Sequence, residues 1–405
     1  MFFIDDENFT KYGYYSINGA KTLSRFEAYQ LAGHDKSKIE FNFNDSELSN
    51  YDWTVEPTQD IYQLYAERAK QLRNNYDYII VMYSGGIDSH IILNSFVENN
   101  IHIDEICTVS TADCDVKSSK FNQEVFNKAI PYVQTLNLKH TKFRYLEIGK
   151  AVVDQWSDEY HFENFHYYNV GAQWASVLRS HKFKELIPEH IDLAQRGKKV
   201  CYVWGLDKPN LFLQEGNYCF KYIDNFIDFG ARQFVNRVQF KEKFFNCYDE
   251  LFYISKDMPE ITIKQCHLLS QFLKTISKTD YRLQDYNDLA NTGPFVVHHK
   301  SSIPYQDGDY SNYKFLNRSA ICKCIYPNEQ IELFGDDKVK GSIIFSKKDL
   351  WFSGSNHDNR FRYEQKMLGL ISQYKNCYGF KNGVPVQLSS IHSKPYIITN
   401  ALNYE

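Results

Sequence analysis

The chain has 405 residues, 43% of them hydrophobic, with 46 basic against 50 acidic side chains; that is length for a sizeable core and two or three domains, and the charge balance excludes a whole-protein electrostatic case for nucleic-acid binding, leaving only a local patch. No apolar run approaches the ~20 residues of a membrane span, and nine cysteines without a Cys-x-x-Cys pair predict free thiols in a reducing cytoplasm. Aromatic residues reach 16%, which predicts ring packing in the core ahead of a base-stacking surface.

Residues 1–57 read as a small α/β appendage. Phe2 to Ile4, Tyr12 to Ile17 and Lys38 to Phe43 have strand character, Asn18-Gly19 is a turn, and Ser24 caps a helix to Leu31. Pro57 and Thr58 open a helix to about Asn75, with Ile61, Leu64, Tyr65, Arg68 and Leu72 at helical spacing. The six residues from Tyr78 to Tyr83 then form a buried strand. Ser84-Gly85-Gly86 breaks it, and Ile87, Ile91, Ile92 and Phe96 resume at helical spacing.

Strand, glycine loop and helix in immediate succession make an anion cradle. Glycine lets the backbone approach a ligand closely, and the helix start turns its N–H groups and positive dipole end toward the loop. Asp88, in the first helical turn, repels a bare phosphate, so its presence points to a divalent cation bridging carboxylate and phosphate oxygens. No Walker loop competes: Gly335 to Ser342 has its second glycine one place late and no lysine after it. No Gly-x-Gly-x-x-Gly follows a strand.

Beyond the loop, strands at Asp104 to Ser110, Lys142 to Ile148 and Lys199 to Trp204 alternate with helical stretches at about 117–136 and across 150–196. That alternation predicts an α/β fold with a parallel sheet covered by helices on both faces. Ligands of such sheets sit beyond the strand C-termini, so the Ser84 loop, Val109-Ser110-Thr111 and Trp204 to Pro209 should converge. A helix opening near Pro259 continues through Phe272, and residues 286–405 read as an irregular C-terminal region packed on a domain spanning 58–285. Cys322-Lys323-Cys324 lacks neighbouring ligands and predicts no zinc site. Tyr160 to Tyr167, with His161 and His166, predicts an aromatic pocket lining, and Arg232 and Arg237 are weaker site candidates. Asn356, His357, Asp358 and Arg360 read as a solvated polar cluster.

Ser84-Gly85-Gly86-Ile87-Asp88-Ser89 resembles the SGGxDS pyrophosphate loop of the ATP pyrophosphatase superfamily, which includes asparagine synthetase and several tRNA-modifying enzymes. The arrangement is also similar to members carried by large bacteriophages. The resemblance implies an adenine nucleotide alpha hydrolase-like fold, with ATP and Mg²⁺ as cofactors. It implies ATP binding by Ser84, Gly85, Gly86, Ile87, Asp88 and Ser89, and adenine seated by the backbone at Ser110 and Thr111. Gly205-Leu206-Asp207-Lys208 is loosely similar to the second pyrophosphate and metal loop of asparagine synthetase, although the glutamate and second glycine of that loop are missing here. On that likeness Gly205 joins the nucleotide site, Asp88 and Asp207 hold the metal, and Lys208 neutralises leaving pyrophosphate. Lys256, ahead of the Pro259 helix, is the second candidate for stabilising charge at the reacting phosphate.

The chain has no cysteine before Cys107, so no glutaminase of the asparagine synthetase type is expected, and ammonia or an amine would come from elsewhere. The implied activity is an AMP-forming ligase that adenylates a small-molecule oxygen. The alternatives are nucleobase or tRNA modification by the same adenylation, and a non-catalytic nucleotide-binding protein.

Overall fold

The structure, a computed structural model, describes residues 7–33, 35–112, 124–149, 183–206, 208–209, 211–224, 227, 246–275, 283–285, 297–299, 313–316, 318–330, 378–381, 384–387 and 391–400. It opens with α1 (Glu7–Thr10), β1 (Tyr14–Ile17), β2 (Ala20–Thr22), α2 (Arg25–Leu31), β3 (Glu40–Asn42) and α3 (Asp45–Leu48). The strands form an antiparallel sheet in the order β2-β1-β3. Its hairpin turns at Asn18 and Gly19, both at positive φ (49° and 84°), the backbone that a two-residue turn between twisted strands requires. Ser24 caps α2 by accepting from the Glu27 amide at 3.3 Å. Phe2 to Ile4 lies outside the described residues.

Helix α4 (Ile61–Asn75) starts later than Pro57 suggests, because Asp60 and Gln63 form a reciprocal capping box that fixes its first turn. There follow β4 (Tyr78–Met82), α5 (Ile87–Val97), β5 (Glu105–Ala112), a π-helical turn over Val125–Ala129 running into α6 (Ile130–Thr135), β6 (Lys142–Gly149), α7 (Pro188–Gln195) and β7 (Val200–Trp204). A hairpin of β8 (Leu211–Gln214) and β9 (Asn217–Phe220) precedes β10 (Cys247–Leu251) and α8 (Glu260–Thr275). Later come β11 (Leu283–Asp285), β12 (Val297–His299), β13 (Tyr313–Leu316), α9 (Arg318–Ile325), the β14 (Tyr378–Lys381) and β15 (Val384–Gln387) hairpin, and β16 (Tyr396–Asn400), which pairs with β9.

Five strands form one wholly parallel sheet in the order β10-β7-β4-β5-β6. Read from β6, that is the third, second, first, fourth and fifth strand in chain order. The chain leaves β4 toward β5 on one side and continues from β7 to β10 on the other. The topological switch point therefore lies between the C-terminal ends of β4 and β7, the place where open α/β sheets bind ligands.

Buried charge shows that both faces are covered. Asp249 and Glu250 are neighbours on β10, so their side chains leave opposite faces. Asp249 meets Lys184, just ahead of α7, at 2.6 Å; Glu250 meets Arg68 of α4 at 3.1 Å and Lys11 at 2.6 Å. Burial alone would raise the Glu250 pKa, but Lys11 and Arg68 overcome it and hold the carboxyl below its ordinary range. Glu105 on β5, fully buried, is likewise held down against its own desolvation by His190 and Arg144. Aromatic rings fill the seam between the N-terminal sheet and β9–β16: Trp53 stacks on Tyr396 with centroids 4.3 Å apart, and Phe43 on Tyr222 at 3.9 Å.

Candidate functional site

The Ser84–Ser89 segment lies on the β4 side of the switch point. Gly85 takes φ +88°, and a Cβ there would stand 2.7 Å from the Glu124 carbonyl oxygen and 3.0 Å from the Ala129 nitrogen. This position demands glycine twice, once for its backbone and once because the π-helical turn rests on it. Gly86 is the N-cap of α5 and supplies no side-chain cap. The serines brace the loop: Ser84 N–H donates to Ser89 Oγ at 3.2 Å, Gly86 N–H to Ser84 Oγ at 3.2 Å, and Ser89 Oγ to the Gly86 carbonyl at 2.9 Å. The hydroxyls that the sequence reading gives to phosphate are thus paired within the loop.

On the other side of the switch point, Gly205 follows the end of β7. A Cβ on it would meet Ser89 N at 3.1 Å and the Asp88 carbonyl carbon at 3.2 Å, so the second loop sits directly on the first turn of α5. Trp204 anchors that approach by donating from Nε1 to Asp249 Oδ1 at 2.8 Å, while Lys184 holds Asp249 Oδ2. Three residues after Gly205, Lys208 Nζ lies 2.5 Å from Asp88 Oδ2, with both side chains largely shielded. The structure therefore joins Asp88, Ser89, Gly205 and Lys208, predicted from separate stretches, into one cluster. Asp207 lies outside the described residues, as do His161, His166, Arg232, Arg237, Asn356, His357, Asp358 and Arg360.

Two tyrosines that the sequence did not reveal complete the cluster. Tyr326, just after α9, donates to Asp88 Oδ1 at 2.6 Å, and Tyr253, after β10, donates to the Asp88 carbonyl at 2.6 Å. Burial pushes both phenols well above their ordinary pKa, with the Asp88 charge adding to the effect, so each stays a donor. No local pattern marks them, since they stand 238 and 165 positions from Asp88. Lys256 lies three residues after Tyr253, its Nζ 3.8 Å from Asp257, and no described contact joins it to Asp88 or Lys208.

No family model, curated protein or solved structure matches the chain. What the site can do therefore follows from its own chemistry.

His90, next after Ser89, supports the loop from below. Tyr132 donates to Asn94 Oδ1 at 2.5 Å, which turns the Asn94 amide N–H toward His90 Nε2 at 3.2 Å and leaves Nδ1–H for the Tyr83 oxygen at 3.1 Å. This assigns the neutral Nδ1–H tautomer. Burial, with Lys128 nearby, lowers the His90 pKa to about 4.

On the far side of β4, β5 runs past its neighbour. Their register ends at Met82 opposite Cys107, whereas β5 continues to Ala112 paired only with β6 among the described residues. The backbone of Val109 to Ala112 thus presents an edge beside the glycine loop. Ser110 is buried, its Oγ 2.6 Å from the Tyr145 hydroxyl; Thr111 lies on the same edge.

The described residues contain no group of three or more His, Cys, Asp or Glu that converges to hold a metal. Asp88 contributes one carboxylate. Among the described residues that carboxylate would fit a share in a hard divalent cation carried on phosphate, whose other ligands would include phosphate oxygens and water. Cys322 and Cys324 sit two apart on α9, where side chains do not face each other. No helix among the described residues is long and apolar enough to cross a membrane.

Proposed function

We propose that the chain is an ATP-dependent, AMP-forming ligase of the pyrophosphatase-loop type, with an adenine nucleotide alpha hydrolase-like fold, acting in a reducing cytoplasm. One observation carries the reading: the Ser-Gly-Gly-Ile-Asp-Ser loop lies at the topological switch point of the parallel sheet, with Gly205 and Lys208 packed on it from the β7 side.

In this reading the triphosphate lies along Ser84 to Ser89, with the two serines trading their mutual hydrogen bonds for phosphate oxygens. The edge of β5 at Ser110 and Thr111, beyond the end of its pairing with β4, seats the adenine through backbone groups. Mg²⁺, when bound with the nucleotide, neutralises phosphate charge, and Asp88 with Asp207 would hold it. A substrate carboxylate or carbonyl oxygen attacks the α-phosphorus, the α–β bridging oxygen departs with pyrophosphate, and the substrate is left adenylated. Ammonia or an amine then attacks the activated carbon, expelling AMP and losing a proton. Negative charge grows on the bridging oxygen during the first step, where the Lys208 ammonium and the helix-start dipoles of α5 act. Lys256 keeps a role only by moving toward the site.

The test uses ATP labelled at the α- and γ-phosphates, incubated with the protein and fractionated metabolites or tRNA. Formation of AMP with pyrophosphate in one fraction supports the reading, and a tRNA fraction as the trigger moves the acceptor to nucleic acid. Cleavage to ADP and phosphate only would refute it.

A further inference from the structure

The oxygens of Asp88 are not equivalent. Oδ1 is held by Tyr326, whose ring is fully buried against Tyr65 and Tyr253, and the Asp88 carbonyl is held by Tyr253, itself buried against Phe252. Neither phenol can swing away without opening the packing beneath α5. Oδ2 is held by Lys208, which stands on the loop after β7 and carries its charge on a flexible four-carbon stem. Oδ1 is the fixed oxygen and Oδ2 the exchangeable one.

An oxygen that already holds an ammonium at 2.5 Å is closed to a second cation, because two positive charges on one oxygen repel strongly where little water screens them. Phosphate changes the balance by offering the ammonium another anion within reach.

We propose that Asp88 Oδ2 is an exchange position: Lys208 holds it in the unloaded protein, and on loading Lys208 moves onto the phosphate chain while Oδ2 turns to a nucleotide-borne divalent cation. Tyr326 and Tyr253 are positioning residues that keep the carboxylate aimed during the exchange. The inference rests on the nucleotide reading of the loop and adds to it that the lysine enforces ordered loading. Divalent cation and nucleotide then bind with strong mutual coupling, each tightening the other by the same factor.

The test is a titration of Mn²⁺ into the full chain, followed by the electron paramagnetic resonance signal of the free ion. It is run with and without α,β-methylene ATP, whose α–β link resists cleavage, and with that analogue alone as the blank. The wild type alone is expected to take up Mn²⁺ poorly, and roughly tenfold to a hundredfold more tightly with the analogue. Lys208→Gln, which keeps a donor for Asp88 but no charge, is expected to gain a similar factor without nucleotide. Equal Mn²⁺ affinity of the wild type with and without bound analogue overturns the exchange and leaves the nucleotide reading standing. A folded Lys208→Gln that gains nothing also overturns it; should that variant not fold, the wild-type pair of titrations still decides. Failure of the analogue to bind at all overturns the nucleotide reading and this inference together.

Discussion

Gly85→Ala separates two costs that one glycine bears. Its φ of +88° penalises any side chain by about 1–2 kcal/mol. The added methyl would also stand 2.7 Å from the Glu124 carbonyl and 3.0 Å from the Ala129 nitrogen, backbone atoms that cannot rotate aside, and overpacking of that kind costs about 1–3 kcal/mol. The variant should therefore lose about 2–5 kcal/mol. Gly19 supplies the control, because it has nearly the same φ, +84°, and nothing within 4 Å of an added Cβ. Gly19→Ala should lose only the backbone share, about 1–2 kcal/mol. Urea unfolding of both variants beside the parent, followed by circular dichroism, measures the difference as a shift in midpoint. Equal shifts would refute the claim that the π-helical turn rests on the loop, and a Gly85→Ala shift smaller than that of Gly19→Ala would refute the loop geometry altogether.

Acid should weaken the protein through His90, whose pKa is lowered to about 4. The unfolded imidazole takes a proton near pH 6.5, so its stabilisation is complete above that pH and lost as the pH falls toward 4, by up to about 3 kcal/mol. His90→Gln should flatten that part of the stability profile, and a parent and variant with parallel profiles would contradict the assignment. Lys184→Met strands the buried Asp249 carboxylate and should cost about 3–5 kcal/mol by urea unfolding; a loss under about 1 kcal/mol would show that the pair does not hold the end of β7. Asp88→Asn keeps an acceptor for Tyr326 but removes the counter-charge of Lys208, so we expect about 1–3 kcal/mol of lost stability together with abolished pyrophosphate release. Turnover equal to the parent would remove Asp88 from the chemistry.

The central strand, its loop and α5 were legible because the hydrophobic period changes from strand-like to helical across three small residues. Parallel pairing was legible from the alternation of elements. β10 was not: Cys247 to Leu251 carries Asp249 and Glu250 side by side, which a hydrophobic pattern reads as polar, whereas each is buried against its own cation on its own face of the sheet. The β8–β9 hairpin turns on Glu215 and Gly216, at φ 49° and 73°, and glutamate is not a residue from which such a turn is foreseen. At the site, Asp88, Gly205 and Lys208 were foreseen because strand ends converge in such a sheet. Tyr253 and Tyr326 answer to tertiary packing alone, and in the segment that carries Lys256 it is the tyrosine three places earlier that reaches Asp88.

A crystal structure of the full chain soaked with Mg²⁺ and α,β-methylene ATP puts the account to its most direct trial. We expect β- and γ-phosphate oxygens within hydrogen-bonding distance of the Gly85, Gly86 and Ile87 amides, with Lys208 drawn from Asp88 onto the phosphates. A nucleotide bound elsewhere, with the serine-to-serine hydrogen bonds and the Asp88–Lys208 pair undisturbed, would contradict it.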